Sequence, residues 1–221
     1  MNRALKPLRS AAVDFHYLLN RGYPRKPSLE LVANRYDLSY DQRHLLHRGV
    51  FSDGDAKTRR KKKVPLRALH DRDLAIDGHN VLITIEAALS GRALILSNEG
   101  FIRDISGLSG NFRKTEVTER ALCLVFDLLK KVMPQHTLFL FDAPISKSGL
   151  LAREVRERLR EEGLPGDAQA LKVPEKVLTD FRGIVATSDT AVIDRSRAVF
   201  DLAGYLVKNR INSKSLLKLK T

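Results

Sequence analysis

The stretch that most restricts what this chain can become is Leu74-Ala75-Ile76-Asp77-Gly78-His79-Asn80. A short apolar run closed by Asp-Gly reads as a buried strand. It carries one carboxylate, that of Asp77, to the C-terminal edge of a sheet, where open α/β sheets place their sites. Val81 to Leu89 is apolar apart from Glu86, and Ser90-Gly91 ends it, so a strand, a tight turn and a helix fit within about fifteen residues. The pattern then repeats. Thr137 to Phe141 is apolar throughout and ends in Asp142, and Gly183 to Thr187 is followed by Ser188-Asp189. Right-handed crossovers between parallel strands would bring these three carboxylates to one edge, and Asp194, in the first turns of the next helix, is expected to face it too.

Carboxylates gathered in this way raise one another's pKa unless a cation holds them together. An all-oxygen donor set favours Mg2+ or Mn2+ over zinc, and such an ion beside a phosphate promotes phosphodiester cleavage. Asp77, Asp142, Asp189 and Asp194 are therefore the candidate catalytic and metal-binding residues. Glu119 is added as a further ligand because its helix leads into the strand of Asp142. Each acid also has a plainer reading: a strand-terminal Asp often caps the following helix, and Glu116 and Glu119 suit the dipole of a first helical turn. His79 reads as a solvent-facing turn residue ahead of a metal or phosphate contact.

The chain carries a net charge of +13, which points to a polyanionic partner, with nucleic acid the first candidate. Most of that excess is N-terminal: residues 1–70 hold 16 Lys and Arg against 6 Asp and Glu, and the remainder 23 against 20. Leu8 to Asn20, Leu29 to Tyr36 and Ser39 to Gly49 have helical spacing, the last announced by a Ser39–Gln42 capping box. The second and third have the proportions of a helix-turn-helix, or of any compact helical hairpin. Arg59, Arg60, Lys61, Lys62 and Lys63 form a run of five cations that repel one another. The run reads as a linker or loop, either a solubilising tether or an arm that contacts phosphates. With Cys123 the single cysteine, no intrachain disulfide is possible, which fits a reduced cytoplasm. No apolar run has the length of a signal peptide or of a spanning helix, so no membrane role is expected.

From residue 71 strands and helices alternate. Ala93 to Ser97 and Phe101 to Ile105 suggest a hairpin, Thr115 to Val132 a long helix, Ser146 to Gly163 another, Ala168 to Val173 a strand, and Glu175 to Phe181 a short helix. A final helix is expected over 191–207, with a frayed basic tail from Lys208. Lys147 and Ser148, between Asp142 and a helix start, suit a phosphate. Arg103 and Arg113 are expected either to contact a nucleic-acid backbone or to be ordinary surface charge. His44 and His47 are expected to be surface residues.

Asp-Gly-His-Asn at 77–80, the strand-ending Asp142, and Ala-Thr-Ser-Asp with Val-Ile-Asp at 186–194 resemble the acidic motifs of the PIN-like superfamily, close to its NYN branch. The resemblance covers about 71–208 and implies a compact α/β domain with Mg2+- or Mn2+-dependent ribonuclease activity that leaves a 5′-phosphate. It implies Asp77 as first metal ligand with Asn80 beside it, Asp189 as the ligand of the turn, and Asp194 as the acid of the following helix. Asn80 and Ser188 would contact substrate. An additional acid is usual between the first and last motifs, and Glu119, Glu175 and Asp180 compete for it. The Ser-Asp-Thr turn lacks a second acid that many NYN sequences place there. The whole chain, including Leu19 to Pro24 and Asn34-Arg35-Tyr36, also resembles an uncharacterised prokaryotic family. The expected organisation is a small all-α domain (1–51), a cationic linker (52–70), a PIN-like parallel sheet flanked by helices (71–208) and a basic tail (209–221). The expected function is a metal-dependent endoribonuclease, with a non-catalytic nucleic-acid-binding protein as the alternative and a homo-oligomer possible in either case.

Overall fold

The computed structural model describes residues 5–105, 114–211, 213 and 215–219. In chain order the elements are α1 (Leu5–Asn20), α2 (Arg25–Arg35), α3 (Tyr40–Gly49), α4 (Asp53–Lys62), β1 (Asp73–Asp77), α5 (Gly78–Leu89), β2 (Leu94–Leu96) and β3 (Ile102–Asp104). They continue with α6 (Glu116–Val132), β4 (His136–Asp142), α7 (Ser148–Glu161), β5 (Gly166–Leu171), α8 (Pro174–Asp180), β6 (Ile184–Ala186), α9 (Thr190–Arg195), β7 (Val199–Phe200), α10 (Leu202–Leu206) and β8 (Leu216–Lys218). The chain divides into two compact units. One takes Met1–Lys61, Ala93–Ile105 and Lys214–Thr221, the other Lys62–Arg92 and Ser106–Ser213.

In the first unit, α1 ends where Gly22 adopts φ +80° and Tyr23 N–H returns to the carbonyl of Leu18, which closes the helix by a left-handed cap. Ser39 and Gln42 form the capping box that starts α3. Leu8, Ala12, Phe15, Val32, Leu45 and Leu46 fill the space between the helices, together with Ile95 and Leu219 from distant parts of the chain. Ile95 lies on β2, which pairs antiparallel with β3 and parallel with β8. The hairpin therefore forms as expected, but it belongs with the N-terminal helices and not with the α/β unit. The tail expected to fray supplies β8, because apolar Leu94, Ile95 and Leu96 need a paired and covered strand.

The cationic run is not a loop. Asp53 and Asp55 occupy the first turn of α4, Ser52 Oγ accepts from Asp55 N–H at 3.1 Å, and Arg59 to Lys62 fall at its C-terminal end. That distribution matches both ends of the helix dipole and outweighs repulsion between neighbours.

The second unit is a parallel sheet in the order β5-β4-β1-β6-β7, with β1 paired to β4 on one side and to β6 on the other. Alternate residues of the strands supply two cores. Leu74, Ile76, Phe139 and Phe141 pack with Leu82, Ile85, Phe126 and Val155. Ala75, Leu140 and Val185 pack with Leu178 and Val192 on the other face. A parallel sheet covered on both faces explains why its strands read as continuous apolar runs. The chain runs from β1 outward to β4 and β5, then returns to the opposite side of β1 for β6 and β7. The order thus reverses at β1, which places a crevice at its C-terminal end.

The single helix expected over 191–207 is instead α9, β7 and α10. Ser196 Oγ bonds back to the carbonyl of Val192 at 2.8 Å, and Asp201 accepts from Gly204 N–H at 3.0 Å to start α10. Both residues prefer local backbone bonds to helix continuation.

Gly78 follows Asp77 because nothing larger fits: a Cβ there would lie 2.3 Å from Cε1 of Phe141, which is fully buried. Gly78→Ala is expected to cost roughly 1–3 kcal/mol, the usual penalty for overpacking. Urea denaturation of variant and parent measures it, and equal stability would show that the ring has room to move.

Candidate functional site

Asp77 is the last residue of the central strand, and its side chain is 8% exposed. Burial pushes its carboxyl up to about 7; the Thr187 hydroxyl draws it down, and the charges of Asp189, Asp142 and Glu175 push it further up. These are acids from three other parts of the sheet edge: Asp142 ends β4, Asp189 precedes α9, and Glu175 lies in the first turn of α8.

A hydrogen-bond chain fixes the centre of this group. Thr187 Oγ1 donates to Asp77 Oδ2 at 2.7 Å and accepts from Asp189 N–H at 3.0 Å. Asn80 Oδ1 accepts from the backbone N–H of Ser188 at 2.9 Å and from its hydroxyl at 3.0 Å, which ties the start of α5 to the turn after β6. Asp189 Oδ1 caps α9, accepting from the N–H groups of Ala191 and Val192 at 2.9 and 3.1 Å. His79, fully buried, places Nδ1 2.9 Å from Asp142 Oδ2 and 3.0 Å from the Asp142 backbone nitrogen. A protonated Nδ1 serves the carboxylate, and an unprotonated one serves the amide.

Each of the three aspartates thus uses one oxygen to hold the fold. The other oxygen, Oδ1 of Asp77, Oδ1 of Asp142 and Oδ2 of Asp189, accepts no hydrogen bond among the described residues. No three His, Cys, Asp or Glu side chains among the described residues are grouped so as to hold one metal ion directly. The donor chemistry still fits Mg2+ or Mn2+, since Mg2+ commonly takes one or two carboxylates and keeps several waters.

Other expected residues are placed differently. Asp194 is exposed at the end of α9, its carbonyl accepts from Lys62 Nζ at 2.5 Å, and it is not among the charges acting most on Asp77. Glu119 pairs with Lys114, which also meets Glu154 at 2.6 Å, and lines a shallow pocket with them. Of the three competing acids, Glu175 is the one that reaches Asp77 electrostatically, while Asp180 sits at the far end of α8. Ser148 spends its hydroxyl on the carbonyls of Asp142 and Ile145, at 2.7 and 2.6 Å, so it shapes the loop and offers little to a phosphate. Lys147 is exposed ahead of α7. Arg113 lies outside the described residues.

Arg59 and Arg103 are buried partners of Glu99 rather than open contacts. Arg60 donates to the carbonyl of Asn98, Lys63 meets Asp201 at 3.0 Å, and Lys61 is exposed. His79 is interior, edge-on to Phe141, not in a solvent-facing turn, and the apolar residues from Val81 onward were the available signal. Thr187 is the functional residue the strand pattern hid, because a Thr at a strand end looks like ordinary β-propensity.

Asp77 binds a proton more tightly folded than unfolded. Its contribution to stability is therefore fully present below about pH 4, and is lost as pH rises to about 7. Asp77→Asn should be more stable than the parent at pH 8, by roughly 1–3 kcal/mol, with the difference vanishing near pH 4. Guanidinium denaturation at both pH values checks the sign; a variant less stable at pH 8 than at pH 4 relative to the parent would contradict it.

Residues 66–205 match the family model described as a domain of unknown function, DUF5616, and residues 7–62 match a protein family of unknown function, DUF434. An uncharacterized protein of Methanocaldococcus jannaschii is 33% identical over 186 residues, which are 84% of this chain and 88% of the relative. No solved structure matches the chain. The first matched region contains Asp77, Asp142, Glu175 and Asp189, and on its extent the chain belongs to the DUF5616 family.

Proposed function

We propose that this protein is a divalent-metal-dependent ribonuclease whose site is the acidic edge of its parallel sheet. The observation that carries the reading is the convergence of Asp142, Asp189 and Glu175 on Asp77 at the point where the strand order reverses. Asp77 and Asp189 are the residues that would hold Mg2+ or Mn2+, with Asp142 and Glu175 adding negative charge nearby. A bound ion supplies positive charge to the scissile phosphodiester and makes nearby water more acidic. The protein's own groups keep these acids in place: Thr187 orients Asp77, His79 orients Asp142, and Asn80 fixes the turn that carries Asp189. Lys147, exposed five residues after Asp142, would be the cation that meets a phosphate. By the PIN-like resemblance, water attacks phosphorus and the bond to the 3′ oxygen breaks, which leaves a 5′-phosphate. The net charge of +13 supports a nucleic-acid substrate.

A second reading keeps nucleic-acid binding without catalysis. It is favoured by the use of Asp189 as a helix cap and by the lack of a preformed three-ligand group among the described residues. Labelled RNA incubated with Mn2+ separates the two. The parent is expected to cleave, and Asp77→Asn and Asp189→Asn to fall by at least about 100-fold, the scale of losing a metal or its charge stabilisation. Cleavage by the variants at the parent's rate would remove these acids from the chemistry, and RNA binding with no cleavage and no Mn2+ heat in calorimetry would establish the second reading.

A further inference from the structure

The first unit contains a group of cations that the acidic edge does not explain. Three guanidiniums surround the ring of Phe51: Arg25 at 4.4 Å from its centroid, Arg59 at 4.6 Å and Arg103 at 5.3 Å. Arg25 also lies over Phe15 at 5.2 Å. The acid at the centre is Glu99, which is fully buried and divides its two oxygens between Arg59, at 2.8 Å, and Arg103. Arg25 is left to donate to the backbone carbonyl of His47, a neutral partner. A carboxylate shared by two buried guanidiniums leaves the site with positive charge in excess, and the third guanidinium is the partly exposed one.

Two neighbouring groups register that excess. Arg25 is lowered to about 10 by burial, then by Arg59 and Arg103, with Glu99 and Asp55 acting the other way. His47, exposed at the surface, is lowered to about 4 by the desolvation its neighbours impose, then by Arg25 and Arg48. The surrounding sequence adds cations where an ordinary helix would place acids. α2 opens with Arg25 and Lys26, has no acid in its first turn, and Pro24 offers it no side-chain cap. Cations at the positive end of a helix dipole are unfavourable, and local rules broken in this way are expected at functional or strained positions.

We propose that Arg25, backed by Arg59 and Arg103, forms a binding site for a phosphate group carrying two negative charges, either as free phosphate or as a terminal phosphate monoester. The planar guanidinium fork suits phosphate oxygens, and three guanidiniums gathered at one buried carboxylate favour an anion of high charge. Phe51, covered by guanidiniums, holds the cluster rigid and is not a platform for a base. Arg25, Phe51 and Arg59 lie in the region matched by the second family model, 7–62, and Glu99 and Arg103 in that matched by the first, 66–205; the site does not depend on the nuclease reading.

The test is calorimetric titration of the full chain with inorganic phosphate at pH 7.5 in EDTA, so that divalent metal plays no part. Binding in the sub-millimolar range is expected. Arg25→Gln should weaken it by at least about tenfold, the loss of a charge-assisted pair of hydrogen bonds. Lys26→Gln, an exposed change that leaves the helix packing untouched, should weaken it by roughly two- to threefold, on the scale of one helix-terminus charge. Lys131→Gln, on α6, should leave it unchanged. In parallel, NMR of the imidazole protons at pH 7.5 should show the His47 signals shift on addition of phosphate in the parent and stay fixed in Arg25→Gln, with His47→Gln identifying the signal. Tighter binding of a 5′-phosphorylated than a 5′-hydroxyl oligoribonucleotide, competed by free phosphate, assigns the group to an RNA end; equal binding of the two oligonucleotides, with free phosphate still bound, assigns it to a small molecule. No heat with phosphate and an unmoved His47, or Arg25→Gln and Lys131→Gln binding alike, would overturn the site.

Discussion

The parallel pairing of β1 between β4 and β6 is the constraint on which the second unit rests. Ile76 lies opposite Phe139 on one side and Ala186 on the other, so Asp77 and Thr187 follow directly at one edge, and Asp142 comes two residues past Leu140, the partner of Asp77. Asp77 is then buried beside other acids, an arrangement that costs stability at neutral pH and is tolerated because the apolar cores on both faces are large. The hydroxyl of Thr187 and the capping bonds of Asp189 hold the geometry against that repulsion. A stability cost concentrated at the point where an α/β sheet reverses its strand order is the feature from which the proposed site is read.

The sheet and its terminal acids were legible because period and punctuation agree there. Asp77, Asp142 and Asp189 each follow an apolar run, and parallel strands buried on both faces leave no other pattern in sequence. Glu175 could not be chosen over Glu119 and Asp180 from sequence, since only the path of β5 and α8 decides which helix start lies near Asp77. Asp194 is exposed near the end of the short α9, and Asp189, which caps that helix, is the acid of this segment that acts on Asp77.

The N-terminal half teaches a different lesson. Adjacent cations suggest a loop when only neighbours are counted, yet Arg59 is drawn inside by Glu99, forty residues later. Arg103 meets the same acid, so two residues that looked like surface charge are interior ones. Pairwise repulsion along the chain is a weak guide once a buried carboxylate is available, because the interaction inside is stronger than that in water. Nothing local marked Arg25 either, apart from cations at a helix start.

The three-strand sheet has a consequence for synthesis. β2 needs β8 as its parallel neighbour, and Ile95 and Leu217, which pair, are separated by about 120 residues of chain. At ribosomal speeds of ~5–20 residues per second, several seconds pass between the emergence of one and the other. During that interval Leu94 to Leu96 present an unpaired strand edge. The earliest helices to leave the ribosome thus complete their unit last, and damage near the C-terminus would be felt in the N-terminal fold.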